Sequence, residues 1–296
     1  MDRPLVSVLM TAYNREKYIR EAIESVLAST YPNFELVIVD DASSDGTVAI
    51  AQEYAARDER IRLFVNPTNL GQFENRNLAA RLSKGKYLKY LDSDDLLYPT
   101  GLDVLVSMME RFPEAGYGLC SLIQDDRRPY PFLLTPEQAY RRHFIEGVPI
   151  FQKAPLSSII KRTAYDAVGG FTNPQGEGDY EMWLQLSLAH QVVLMPDGVV
   201  WYRVHEEQID VNRRNNPLVR FRYFLVTLKY MNGPNPLPPE EVRSAVAETH
   251  REMVKYIARA FVRHSPAKAR EMYRAGAYNT GKFLRHCVDA ARHKFS

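Results

Sequence analysis

The sequence predicts an α/β fold: a mostly parallel sheet flanked by helices, with a helical C-terminal extension. Three observations lead there. Apolar runs of strand length alternate with helical segments three times before Tyr87. The runs are nearly continuous in Val, Ile and Leu, as strands covered on both faces are. Past Pro217 the strand pattern stops and only helical spacing remains.

Leu5–Thr11 is the first buried strand, closed by the polar turn Ala12-Tyr13-Asn14. Tyr18, Ala22, Ile23, Val26 and Leu27 repeat at helical spacing until Tyr31-Pro32-Asn33 ends the helix. Glu35–Asp41 is a second strand, and Ser43–Thr47 caps a helix carrying Val48, Ala51, Tyr54 and Ala55 on one side. Ile61, Leu63 and Val65 alternate as a third strand, and Asn69-Leu70-Gly71 leads into a helix through Leu78, Ala79 and Leu82. Tyr87–Leu91 is the fourth strand. A helix with Leu102, Leu105, Val106 and Met109 follows Pro99, and the stretch from Gly116 to Lys153 reads as irregular, proline-bearing and aromatic. Ser157–Ile160 reads as a strand, Arg162–Val168 as a short helix, and Met182, Leu184, Leu186 and Leu188 mark a helix after the loop Asn173–Gly178. Val192–Met195 and Val199–Val204 are further strands. In the extension, Val242, Val246, Met253, Tyr256, Ile257 and Ala260 form one apolar stripe, while Arg251, Lys255, Arg259 and Arg263 recur on another face.

With 45% apolar and 25% charged residues among 296, the chain has the make-up of an ordinary globular protein. Its two cysteines, Cys120 and Cys287, make no disulfide framework and fit a reducing compartment. No signal-like start and no apolar stretch of membrane-spanning length is present, so a cytoplasmic location is expected. From Pro217 onward 15 Lys and Arg face 6 Asp and Glu, net +9, whereas the preceding residues carry 23 against 30, net −7. This basic tail suits a solvated helix face, an oligomer contact, or a peripheral contact with anionic lipid at the inner face of the membrane. No nucleic-acid partner is expected.

The fourth strand runs into three carboxylates within four positions, Asp92, Asp94 and Asp95. They repel one another and need an exposed strand end. Either the turn is a solvated one ahead of the Pro99 helix, or it holds a hard divalent ion such as Mg2+ or Mn2+ together with a substrate phosphate. Ligands of parallel sheets bind outside the carboxyl ends of the strands, which places Thr11–Asn14, Asp40-Asp41 and Asp92–Asp95 on one rim. Neither a Gly-x-Gly dinucleotide turn nor a P-loop follows the first strand, so a dehydrogenase is not expected.

Seven segments in order, VSVLMTAYN, ELVIVDDASSDGT, NLGQFENRNLA, YLDSDD, VGGF, GDYEMWLQL and YRVH, resemble the inverting family 2 glycosyltransferases of the GT-A fold. The resemblance covers roughly Pro4 to Asn212 and leaves the tail outside. It implies a nucleotide-sugar-binding half over 1–98, an acceptor-binding half over 99–216 and a basic helical extension over 217–296. Its carry-over makes Thr11, Ala12 and Tyr13 the turn against the donor base. Asp41 resembles the carboxylate that accepts from a base N–H, typically of uracil, a task suited to an acceptor-only group; a turn or capping role is the bland alternative. Arg76 resembles the family's arginine near the donor, Asp92 the ribose-contacting member of the Asp-x-Asp, and Asp94 the metal ligand. Asp179 stands where the family keeps its catalytic base; many relatives read Glu-Asp there, whereas this chain reads Gly178-Asp179 with Glu177 one place earlier, so both acids are candidates. His205 resembles a histidine that completes the metal or diphosphate site, Arg203 adds positive charge near the phosphates, and Trp183 either borders the acceptor or belongs to the core.

The function so implied is transfer of a sugar from a nucleotide-diphosphate donor, a UDP-sugar by resemblance, to a hydroxyl of a glycan, lipid-linked or other acceptor. It proceeds with inversion, assisted by Mn2+ or Mg2+ and with an Asp as general base. A sugar nucleotidyltransferase would need a Gly- and Arg-rich loop after the first strand, and Ala12-Tyr13-Asn14 is not one. A non-catalytic nucleotide-sugar-binding protein would have no need for so costly a carboxylate cluster.

Overall fold

The structure, a computed structural model, describes residues 3–172, 177–206, 217–263 and 265–292. The loop residues 173–176, the stretch 207–216 and the side chains of Arg263 and Arg292 lie outside the described residues. Two compact units are present: Met1–Ala139 with Pro149–Arg203, and Tyr140–Val148 with Val204–Ser296.

The first unit is built on an eight-stranded sheet in the order β3-β2-β1-β4-β8-β6-β9-β7. Its strands are β1 (Val6–Ala12), β2 (Phe34–Asp40), β3 (Ile61–Val65), β4 (Tyr87–Tyr90), β6 (Tyr117–Leu122), β7 (Phe132–Leu134), β8 (Ser158–Lys161) and β9 (Val192–Pro196). β1 pairs parallel with β2 and β4, β2 with β3, and β6 with β9, while β8 runs antiparallel between β4 and β6 and β7 antiparallel beside β9. The sheet is thus mixed and mostly parallel. The carboxyl ends of β1, β2, β4 and β6 share one rim, the place where such sheets put their ligands.

The helices follow the apolar periodicity. α1 (Ile19–Leu27) buries Ile19, Ala22, Ile23 and Val26, and α4 (Gly101–Glu110) buries Leu102, Leu105, Val106 and Met109. Both pack with Val6, Val8, Met10, Leu36 and Ile38 in one core. α2 (Thr47–Ala55), α3 (Gln72–Leu82), α6 (Arg162–Val168) and α7 (Gly178–Ala189) complete the unit. The stretch expected to be irregular instead contains β6, β7 and α5 (Pro136–Phe144). β6 escapes the pattern because Gly118, Cys120 and Ser121 interrupt its apolar run, and β7 because it is only three residues long. The strand expected over Val199–Val204 shrinks to β10 (Val200–Trp201), which pairs antiparallel with β5 (Leu96–Leu97). That small ribbon ties the exit of the acidic turn to the segment bearing Arg203.

The second unit is helical, with α8 (Pro217–Met231), α9 (Pro239–Arg263), α10 (Pro266–Ala275) and α11 (Thr280–Arg292) around Phe221, Met253, Ile257, Ala260, Met272 and Tyr278. Met253, Tyr256, Ile257 and Ala260 of the α9 stripe face this core, whereas Val242 and Val246 are half-buried outside it. Its basic series is partly neutralised within the helix, since Arg251 pairs with Glu248 and Lys255 with Glu252 at 2.8 Å. Among the described residues, no helix is long and apolar enough to cross a membrane.

Candidate active site

The rim is assembled loop by loop. After β1, Asn14 adopts φ 52°, a left-handed conformation that Asn tolerates better than most residues. Its side-chain oxygen accepts from Ser44 N at 2.9 Å, and its own N–H donates to Ser43 Oγ at 2.8 Å. Arg15 N donates to Thr47 Oγ1 at 2.7 Å, and Gly46 N to Glu16 Oε2 at 2.8 Å. The loop after β1 and the Ser43–Thr47 segment after β2 are therefore laced together, and Tyr13 is left 48% exposed at the rim.

The paired acids after β2 divide their work. Asp40 accepts from Ser43 N and Oγ, at 2.8 and 2.6 Å, and so closes its own turn. Asp41 is buried, with Asn66 Nδ2 and Leu70 N on Oδ1 at 2.8 Å and Gly71 N on Oδ2 at 2.9 Å. A carboxylate has about four acceptor positions. Asp41 thus anchors the loop entering α3 and keeps capacity for one further donor.

Arg76 is the centre of the site. It projects from α3, is fully buried, and donates from Nη2 to both oxygens of Asp92 at 3.0 Å and from Nη1 to Asp179 Oδ1 at 2.8 Å. Burial works against its charge, but Asp92 and Asp179 outweigh burial and hold the guanidinium above its ordinary pKa. The rings of Phe73 and Phe171 lie 5.9 and 5.7 Å from it and 5.6 Å from each other, so the ion pairs sit against an apolar wall. Asp179 begins α7, where the helix dipole favours a carboxylate. Its side chain is 28% exposed, while Glu177, the alternative acid, is buried at the N-cap of the helix.

Within the acidic turn, Asp95 N closes onto Asp92 O at 3.0 Å. Each carboxylate then has a separate cationic or main-chain partner: Arg76 for Asp92, Arg15 Nε at 3.0 Å for Asp94 Oδ2, and the N–H of Arg203 at 2.9 Å for Asp95 Oδ1. Burial first, then the charges of Asp92 and Asp94, push the Asp95 carboxyl up to about 8. Below the turn Lys89 is wholly buried, its Nζ donating to Tyr90 O at 3.0 Å and to Leu156 O, and burial pulls it down to about 8. Arg203 also reaches Asp94 O at 2.8 Å and Glu21 at 2.6 Å, and lies over the rings of Trp201 and Tyr18.

Thr11, Ala12, Tyr13, Asp41, Arg76, Asp92, Asp94, Asp179 and Arg203 all lie in the first unit; His205 lies in the second. Trp183 is fully buried, stacked on Tyr117 at 6.0 Å, with its indole N–H on Lys153 O at 2.7 Å, so it is a core residue. Sequence reasoning missed Arg15 and Phe73. Arg15 stands in the run Arg15-Glu16-Lys17, which reads as solvated charge. Phe73 explains a departure in the motif: a Cβ on Gly178 would lie 2.7 Å from its ring. Gly178→Ala is therefore expected to lower stability by about 1–3 kcal/mol through overpacking. Phe73→Leu in the same chain should restore part of the loss. Thermal melting of the two variants checks this, and an additive loss would refute the steric reading.

Comparison with known proteins places these features in a family. The model described as "Glycosyl transferase family 2" matches residues 7–187. The putative glycosyltransferase EpsE of Bacillus subtilis is 42% identical over 189 residues, 62% of this chain and 66% of that protein. An Escherichia coli UDP-Glc:alpha-D-GlcNAc-diphosphoundecaprenol beta-1,3-glucosyltransferase, WfgD, is 29% identical over 76% of this chain and 92% of its own. The first curated relatives are spanned over 50% to 67% of their length. Residues 1–349 of Staphylococcus aureus TarS, solved with UDP-GlcNAc, share the fold at a TM-score of 0.70, 19% identity, and 95% and 81% coverage of the two chains. The mannosyltransferase PcManGT of Pyrobaculum calidifontis, solved with GDP-Man and Mn2+, does so at 0.65, 20% identity, and 98% and 88% coverage.

Proposed function

This chain belongs to glycosyl transferase family 2, and from that premise we propose that it transfers a hexosyl group from a UDP-sugar to a hydroxyl acceptor with inversion at the anomeric carbon. The observation that carries the reading is the double grip of Arg76, which holds a donor-side carboxylate, Asp92, and the acid at the start of α7, Asp179, on one guanidinium. Donor chemistry and acceptor activation belong within a few ångströms of each other, and this residue fixes that distance. The choice of UDP leans on the names of the E. coli relative and of the TarS complex; an acceptor of glycoconjugate type leans on the former.

In the proposed reaction the acceptor oxygen attacks the anomeric carbon, the bond from that carbon to the diphosphate breaks, and the leaving oxygen keeps the electron pair. Asp179 takes the acceptor proton. Arg76 Nη1 donates to its Oδ1 and so orients the carboxylate at the start of α7. Tyr13 lies against the base, Asp41 spends its remaining acceptor position on the base N–H, and Arg203 adds positive charge beside the diphosphate.

The donor set also fits a divalent metal. Its oxygens are hard carboxylate ligands, gathered as Asp92, Asp94 and Asp95 within four positions of one turn. Among the described residues, no group of three or more His, Cys, Asp and Glu encloses a metal ion; a site of one or two carboxylates completed by substrate phosphates needs no such cage. Asp94 would hold the ion; His205 belongs to the second unit and is not assigned to it. Bound there, Mn2+ or Mg2+ supplies Lewis-acid neutralisation of the diphosphate. Titration of UDP by calorimetry, with Mn2+ or with EDTA, tests this. UDP affinity should drop on chelation, and Asp94→Ala should show the weaker value in both conditions. Equal affinity with and without the metal would remove it from the scheme. UDP release from UDP-sugars separates an enzyme from a binding protein.

A further inference from the structure

We propose that Arg15 is the resting counter-cation of Asp94, released when a metal-bound nucleoside diphosphate docks, and that this exchange makes metal and nucleotide bind cooperatively. The proposal rests on the assignment of Asp94 as metal ligand. The three carboxylates of the turn are neutralised in different ways. Asp92 is held by Arg76, which is fully buried in a helix and walled by two aromatic rings, and so is not free to leave. Asp95 is held by a main-chain N–H. Among the described residues, Asp94 is the one of the three whose carboxylate takes a hydrogen bond from a rim-loop side chain, Arg15.

Arg15 is built for exchange. Its main chain is fixed through Thr47 Oγ1 and follows the left-handed Asn14, so the loop stays in place whatever the side chain does. The guanidinium is 19% exposed and spends Nε on Asp94, and Nη1 on the carbonyls of Tyr13 and Asn14 at 3.2 and 3.0 Å. Nη2 makes no hydrogen bond among the described residues. A cation arriving at Asp94 must break a charge-assisted hydrogen bond that is 12% exposed on the carboxylate side. A guanidinium set free beside the exposed Tyr13 finds in a diphosphate a multi-oxygen anion that its planar fork can grip bidentately. The nucleotide thereby vacates Asp94 for the metal, and by linkage the metal strengthens the nucleotide by the same factor.

Calorimetric titration of Mn2+ into the full chain, with and without UDP, tests the exchange on wild type, Arg15→Gln and Arg15→Lys, with melting temperatures alongside. Wild type should bind Mn2+ weakly alone and on the order of ten-fold more tightly with UDP, inside the usual range of coupled sites. Arg15→Gln should bind Mn2+ alone on the order of ten-fold more tightly than wild type, and its gain from UDP should shrink. Arg15→Lys, which keeps a cation without the fork, should fall between. A purely structural role for Arg15 would weaken every one of these affinities and would not split them by sign. Unchanged or weaker Mn2+ binding by Arg15→Gln, or an undiminished gain from UDP, overturns the proposal while the metal reading stands. If neither form takes up Mn2+ even with UDP, the proposal and the Asp94 assignment fall together.

Discussion

Replacing Asp179 by Asn is expected to cut the transfer rate roughly 10²- to 10⁴-fold, the usual worth of a positioned general base, while UDP affinity stays close to wild type. The asparagine keeps the size of the side chain and an oxygen for Arg76 Nη1, but it cannot take a proton. A base acts only as the acceptor attacks, so its loss belongs in turnover and not in donor binding. Glu177→Gln should leave the rate within a few-fold, since Glu177 is buried at the N-cap and Asp179 is the acid on Arg76. Melting temperature, UDP affinity and rate measured on both variants decide the matter. Full activity in Asp179→Asn together with loss in Glu177→Gln would move the base two residues. A lowered melting temperature as the main effect of Asp179→Asn would make the residue a helix cap.

Arg76→Met is expected to abolish transfer and to cost about 3 kcal/mol of stability, the lower end for removing one partner from a buried ion pair. The lower end applies because Asp92 and Asp179 are each about a third exposed and solvent screens what remains. At about 2–4 °C per kcal/mol for a chain of this size, the melting temperature should fall by roughly 10 °C. The loss has a specific cause, two carboxylates left facing each other. Adding Asp179→Asn to Arg76→Met should therefore recover part of the melting temperature while transfer stays absent. A drop under about 1 kcal/mol would mean that its ion pairs contribute no more than exposed ones do.

Much of this was legible in the sequence because strand and helix periods report burial directly. β1, β2 and β4 read as apolar runs since both faces of each are covered, and α1 and α4 read from residues that indeed line the core. The neighbours of a strand are another matter. Nothing in Ser158–Lys161 says that it lies antiparallel between β4 and β6, for pairing depends on the whole topology. The acidic turn and Asp179 were visible as motifs, but their joining through Arg76 was not, because that contact spans 103 positions. Asp40 and Asp41 show the same limit: two identical side chains in a row, one closing its own turn and the other holding a loop from beyond β3. Arg15 was hidden by its company, since a cation among alternating charges looks solvated until a carboxylate from another strand is brought to it.

The place of β8 in the sheet has a consequence for how the chain folds. β1 to β4 are contiguous in sequence and find their parallel neighbours early, yet the outer side of β4 receives its partner only once Ser158–Lys161 has been made. At synthesis rates of about 5–20 residues per second, the nascent sheet carries an open edge for on the order of several seconds. Open edges invite pairing with other chains, and lysines on them discourage it. Lys89 occupies that edge strand. In the finished fold its ammonium is enclosed and capped by the carbonyl oxygens of Tyr90 and Leu156, the second of which belongs to the segment that leads into β8. Lys89 is thus a charge that the finished fold encloses with the help of a carbonyl made 67 positions later.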